Sequence, residues 1–260
     1  MTLKITDRWN GFTNEYDLYR PRVPDRLIEI LLNFADNRQP ELVIDLGSGT
    51  GNSSRTWQGR AKRITGIEPS EQMIARAREL TPAGNINYVH AFAGDTGLPP
   101  GCADYVVASS SIHWMQPDTT LREVKRLLNP KGIFAFWGVS HPPVTPFIAL
   151  DQAFFELMKK IDQKEWTFYK PQNWTWAQLL EEAEKNNHFG LHRFFHIDQG
   201  FTWNRDDYIN WFNTTIPEFF RCQMPEFNEV YEEFISKIKH HFGHGGHPVF
   251  FVYSVHVFKS

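Results

Sequence analysis

The chain has 260 residues, 41% hydrophobic and 22% charged, with a formal net charge of -3, enough apolar content for one large core or for a core with an inserted subdomain. Without a Lys/Arg block, an extended nucleic-acid or anionic-membrane surface is disfavoured. No apolar run reaches the roughly 18 residues of a membrane span, and the N-terminus has no signal-peptide core. Two cysteines, Cys102 and Cys222, build neither a disulfide framework nor a thiolate zinc site, so the expectation is a cytoplasmic protein with a small-molecule partner.

Residues 26–35 carry helical periodicity, and residues 41–46 form a short apolar run that stops at a glycine cluster, the mark of a buried strand. Similar runs recur at 63–67, 86–92, 105–109 and 132–138, with helical patterns at 53–58, 70–80 and 119–128 between them. This alternation predicts a parallel sheet covered on both faces through right-handed crossovers. The rhythm ends near Pro142, and two thirds of the Phe, Trp and Tyr residues lie beyond residue 140. Helical patterns follow at 146–161 and 226–241. Thr175 to Gln178 reads as a capping box for a helix reaching about residue 187, with Gly190 beyond it as a stop. Strand-like runs at 192–201 and 249–258 are expected to close the sheet as an antiparallel hairpin. The predicted fold is thus α/β: a doubly wound, seven-stranded, mostly parallel sheet with a helical, aromatic-rich lid. Its predicted organisation is a core over 1–141, a lid insertion over 142–190, and final strands with a further lid portion over 191–260.

The segment Val43-Ile-Asp-Leu-Gly-Ser-Gly-Thr-Gly51 is a strand running into a loop with glycine at every second position. A phosphate-cradling P-loop needs a lysine after its last glycine, and none follows Gly51. A dinucleotide fingerprint needs G-x-G-x-x-G, but the third glycine arrives one residue early and position 52 is Asn. Asp45 would also oppose a pyrophosphate, whereas it suits a cationic ligand. S-adenosylmethionine, with an ammonium group, a carboxylate and a sulfonium, fits these features.

The D-x-G-x-G-x-G segment resembles motif I of the class I methyltransferases, which assigns Asp45, Gly47, Ser48, Gly49 and Gly51 to S-adenosylmethionine. Later motifs follow in order. Glu68, ending the second strand, is suited to both ribose hydroxyls, although dinucleotide enzymes use the same position. Pro69, then a helix capped by Ser70 and containing Met73, resembles the family's apolar contact with adenine. Ala93-Gly-Asp-Thr-Gly-Leu-Pro99 resembles its adenine-reading segment, with Asp95 and Thr96. The fourth strand, with Ser109 and Ser110 and ending in Ile112-His-Trp114, is similar to the small-molecule, type 11 branch. Asn129-Pro-Lys-Gly132 reads as a turn into strand five. Upstream, Tyr16-Asp-Leu-Tyr-Arg-Pro-Arg-Val-Pro24 resembles the branch's N-terminal segment. By analogy Tyr16 or Tyr19 faces the sulfonium and Arg20 takes the methionine carboxylate, the alternative being that these tyrosines pack the segment on the sheet.

An activated sulfonium needs a nucleophile held in line and water kept out, not a catalytic triad. Strand carboxyl ends carry the site in doubly wound sheets, so His113 and His141 are the candidate bases or substrate contacts; packing beside Trp114 and a turn before Pro142 are their plain alternatives. The layout of the whole chain resembles the trans-aconitate methyltransferase-like group, which implies a small carboxylic acid as acceptor, with Arg193, Arg205 or Arg221 as possible partners. The histidines at 240, 241, 244 and 247 suit a helix end and its dipole better than a metal. Nucleic-acid methylation is disfavoured, because there is no N-P-P-aromatic segment and neither cysteine follows a proline. The expectation is methyl transfer to a small molecule. A non-catalytic S-adenosylmethionine-binding protein and a nicotinamide-dependent oxidoreductase remain as alternatives, and the oligomeric state stays open.

Overall fold

The computed structural model describes residues 13–36, 38–81, 84–163, 176–185, 189–215, 225–243 and 245–260. Helices α1 (Thr13–Tyr19) and α2 (Asp25–Asn33) lead into β1 (Leu42–Leu46), followed by α3 (Asn52–Thr56), β2 (Arg63–Glu68), α4 (Glu71–Leu80), β3 (Ile86–His90) and β4 (Ala103–Ser109). A 3-10 turn (Ile112–Trp114), α5 (Pro117–Leu127), β5 (Leu128–Val139), α6 (Ile148–Gln163) and α7 (Trp176–Lys185) come next. The chain then forms β6 (His192–Trp203), α8 (Arg205–Thr215), α9 (Pro225–Phe242) and β7 (His247–Lys259). The strands make one sheet in the order β3-β2-β1-β4-β5-β7-β6, with β7 antiparallel to both neighbours and the first five strands parallel.

Alternation along each strand divides the core between two faces. Val43, Tyr105, Ile133 and Trp137 join α2, α6, α8 and α9 on one face. Ile44, Val106, Phe134 and Phe136 join α5 and α7 on the other. All five residues of β1 are buried, as a strand covered on both sides requires. The aromatic residues beyond Pro142 glue the late helices to the sheet: Trp211, Phe154, Trp203 and Phe251 pack ring to ring.

The seven-stranded, mostly parallel sheet, its two covered faces and the late antiparallel pair agree with the expectation from sequence. Three local differences have physical causes. Residues 13–19 are helical, with Tyr16 and Arg20 one turn apart so that the guanidinium lies 5.1 Å from the Tyr16 ring centroid. Asn129 to Gly132 lies inside β5 as a bulge, for the register jumps from Ala103↔Leu128 to Tyr105↔Ile133, and Asn129 donates to Asp104. Finally, β3 stops at His90. The capping residue Thr175, together with Arg221 and Cys222, lies outside the described residues. No helix among the described residues is long and apolar enough to cross a membrane.

Candidate functional site

The strand order reverses between β1 and β4, opening a crevice at their carboxyl ends. The loop after β1 occupies it. Gly47, Gly49 and Gly51 all have positive φ (65, 55 and 83), a conformation that side chains with a Cβ resist. Their surroundings differ. A Cβ at Gly47 would sit 2.7 Å from that of Ser111, and one at Gly51 would sit 2.1 Å from the Tyr88 hydroxyl, whereas one at Gly49 would meet nothing within 4 Å. The loop is therefore clamped at both ends by packing, with its middle glycine facing open space.

Asp45, on β1 beneath this loop, is fully buried. Oδ2 accepts a 2.6 Å hydrogen bond from the Ser54 hydroxyl, while Oδ1 is buried with no hydrogen-bond partner. Burial, with the nearby Glu68 charge, raises the carboxyl pKa to about 7, even though Ser54 and the neighbouring Ser53 pull it down. Glu68, at the end of β2, accepts from the backbone N–H of Gly49 and of Ser70, each at 2.9 Å. Burial raises its pKa as well, opposed by those same backbone hydrogen bonds. One carboxylate thus ties the open middle of the glycine loop to the start of α4. Each of its oxygens keeps one lone pair free for a ligand hydroxyl.

The other residues singled out from sequence divide. Ser48 turns inward: its N–H bonds Ile67 and its hydroxyl lies over Gly66, where a Cβ would come within 2.7 Å of it. Ser70 caps α4 through the Met73 N–H, with Met73 buried and Pro69 just upstream. Asp95 is exposed beside Phe92, itself 64% exposed, at the end of β3. Thr96 is buried and gives both its N–H and its hydroxyl to Glu123, whose carboxyl Arg126 holds at a pKa of about 2; it joins the loop to α5. Ser109 ends β4, Ser110 has a φ of 50, and Ser111 donates to the Leu46 carbonyl at 2.7 Å.

His113 and His141 face one another electrostatically across the ends of β4 and β5. His113 packs against Trp114 at 4.9 Å between ring centroids. The His141 ring has open surface yet sits among many protein atoms, as on the wall of a cleft. Its Nδ1 contacts the Val139 carbonyl and its Nε2 contacts Arg20 Nη1, both at 2.9 Å. A carbonyl only accepts and a guanidinium only donates, so the proton belongs on Nδ1 and the Nε2 lone pair is engaged. Surrounding protein, then the Arg20 charge, lower its pKa to about 3. His141 is a neutral acceptor here, not a free base. Tyr19 ends α1, half-buried.

The sequence reading overlooked how α1 is held. Asp17 accepts from the Thr50 hydroxyl at 2.9 Å and from Arg55 at 2.6 Å, fastening α1 to the glycine loop and α3. Arg20, one turn on, also donates to the Thr214 carbonyl of α8 at 3.1 Å. The four-residue spacing of Tyr16 and Arg20 was the available signal. Of the arginines proposed for an acid, Arg193 is exposed and bonds His192, Arg205 pairs with Asp206, and Arg221 is not described. His241 packs on Phe147, His247 bonds the Phe242 carbonyl, and His244 lies outside the described residues.

Residues 44–136 match the family described as a methyltransferase domain. Trans-aconitate 2-methyltransferase of Escherichia coli is 39% identical over 98 residues, 36% of this chain and 38% of that protein. An uncharacterised methyltransferase of Schizosaccharomyces pombe is 25% identical over 243 residues, 87% of each. The chain spans about half the length of other curated relatives it matches, 52% for one from Dictyostelium discoideum. A structure described as a type II methyltransferase, from Anaeromyxobacter dehalogenans, has a TM-score of 0.65 at 18% identity over 93% of this chain and 97% of that one. Phosphoethanolamine N-methyltransferase 2 of Haemonchus contortus, in complex with S-adenosyl-L-methionine, has a TM-score of 0.54 at 16% identity over 98% and 60%. These two speak for the fold. Residues 44–136, which hold the glycine loop at the switch point of the sheet, are a methyltransferase domain, set in a chain whose fold is that of the methyltransferase structures it resembles.

Proposed function

We propose that this protein transfers a methyl group from S-adenosylmethionine to a small-molecule acceptor by direct in-line displacement, with a carboxylic acid as the acceptor class. The observation that carries the cofactor is Asp45 Oδ1, a buried carboxylate oxygen without a partner on the strand that leads into a glycine facing open space. An ammonium group supplies the missing donor and the charge that this carboxyl lacks, whereas a pyrophosphate supplies neither. When bound, the cofactor supplies a methyl carbon whose bond to sulfur breaks, the electron pair staying on sulfur, as the acceptor's new bond forms.

The chain's residues do the rest. Asp45 takes the ammonium, and Glu68, already aligned by two backbone N–H groups, accepts the ribose hydroxyls. Asp95, Phe92 and Met73 border the adenine end. The ends of β4 and β5, with His113 and His141, border the methyl. A carboxylate acceptor is ionised at neutral pH and needs no general base, which agrees with the engaged Nε2 of His141. Titration calorimetry with S-adenosylhomocysteine tests the cofactor and a labelled methyl donor with an acid panel tests the reaction; binding without turnover favours a non-catalytic sensor. Binding of NADH in place of S-adenosylhomocysteine overturns the proposal.

A further inference from the structure

We infer that Arg20 is the residue that grips the carboxylate of the acceptor, and so decides that the acceptor is an organic acid. This rests on the methyltransferase reading and its acid acceptor, and adds the residue that selects the acid. The guanidinium is surrounded by neutral groups: His141 Nε2 at 2.9 Å, the Thr214 carbonyl at 3.1 Å and the Tyr16 ring at 5.1 Å. Its Nε is buried with no hydrogen-bond partner, and no carboxylate lies within ion-pair distance among the described residues. Every other arginine of the described chain is either paired with a carboxylate, as Arg55, Arg60, Arg76, Arg122, Arg126 and Arg205 are, or exposed. A partly buried cation fixed by three neutral contacts and lacking an anion is costly unless an anion arrives. Nε–H with a neighbouring Nη–H is the fork that takes a carboxylate through two parallel hydrogen bonds.

Position separates this site from the residues assigned to the cofactor's ribose and adenine. Asp17, in α1, reaches the glycine loop after β1; Arg20, one turn later, reaches His141 beyond β5 and Thr214 on α8. In the sheet, β4 and β5 lie on the opposite side of β1 from β2 and β3, so the partners of Arg20 follow β5 while Glu68 and Asp95 follow β2 and β3. Behind His141 the wall is apolar: Trp211 stacks on its ring at 5.7 Å, and Phe154 packs against Trp211. A charged grip beside an aromatic wall suits an acid with an apolar body. His141 acts as a positioning residue, because its Nδ1 is anchored on Val139 and its Nε2 aims Arg20.

The test measures two affinities on the full chain. Titration calorimetry gives S-adenosylhomocysteine binding. Tryptophan fluorescence, on protein saturated with that compound, gives binding of phenylacetate and hexanoate against phenylacetamide and hexanamide. The expected result is that an acid binds at least about tenfold tighter than its amide, and that Arg20→Gln removes this preference. Arg20→Lys, which keeps the charge but loses the fork, retains part of the preference and guards against a folding defect. The affinity for S-adenosylhomocysteine should change less than about threefold in both variants. A tenfold loss of that affinity with the acid preference intact would assign Arg20 to the methionine carboxylate and overturn the inference. No acid preference in the unsubstituted protein overturns it too. Failure of the unsubstituted protein to bind S-adenosylhomocysteine instead overturns the methyltransferase reading beneath it.

Discussion

Asp45 and Gly49 carry the cofactor argument. Asp45 has its pKa raised from 3.8 to about 7 by burial, so folding favours its protonated form. That contribution to stability is complete below the ordinary carboxylate pKa and is lost as the pH rises through about 7. An ammonium ligand reverses the preference, so binding S-adenosylhomocysteine near pH 6.5 should release up to one proton. Calorimetry in buffers of different ionisation enthalpy should show this release, and Asp45→Asn should abolish it while weakening binding by roughly 30-fold or more, about 2 kcal/mol. The glycines divide along the same line. Gly51→Ala meets the Tyr88 hydroxyl and should cost on the order of 2 kcal/mol or more in denaturant titrations. Gly49→Ala meets no protein atom, so it should cost only about 1–2 kcal/mol, from its left-handed backbone, yet abolish most ligand binding. If instead both lose equal stability and Gly49→Ala still binds, the open space above Gly49 is not the ligand's.

Among the elements, α1 leans on its neighbours. None of its residues is buried, so its place on the site depends on polar contacts to its neighbours, foremost Asp17 with Arg55 and Thr50. Removing that half-sheltered carboxylate with Asp17→Ala should cost about 1.5–3 kcal/mol of local stability. Amide exchange should quicken over residues 13–19 while the strands keep their protection. Unchanged exchange there would mean that α1 docks by other contacts. The loops after β1 and β2 show how elements share one group: Glu68 bonds both Gly49 and Ser70, so the glycine loop and the first turn of α4 are set together. From the sequence, Glu68 was legible as a strand-end acid, but its bond to Gly49 was not, because nothing in the spacing says that the loop folds back over β2.

For the molecule as a whole, ligand binding to the crevice should raise global stability, since the site draws on β1, β2, β4 and the helices after them. Saturation at about 100 times the dissociation constant is worth about 2.7 kcal/mol, which for a chain of this size shifts the midpoint by roughly 5–10 °C. Differential scanning fluorimetry with S-adenosylhomocysteine checks this. A shift of the same size with NADH would contradict the assignment.

Period and punctuation in the sequence were enough for the strands, the crossover helices and the glycine loop, because a strand buried on both faces must read as an apolar run and a left-handed turn must fall on glycine. Asp45 was legible through its place two residues before the first glycine, where a carboxylate opposes a pyrophosphate and suits a cation. Partnerships between residues far apart in the chain were not legible. Arg20 meets His141 across 121 positions and Thr214 across 194, and only folding reveals that the guanidinium has neutral neighbours and no anion. Likewise the resemblance assigned Thr96 and Ser48 to the cofactor, and only packing shows that one turns toward Glu123 and the other over Gly66. Local backbone preference and burial are written residue by residue, but where a side chain points depends on which distant surface closes over it, and that is decided when the sheet and its helices assemble.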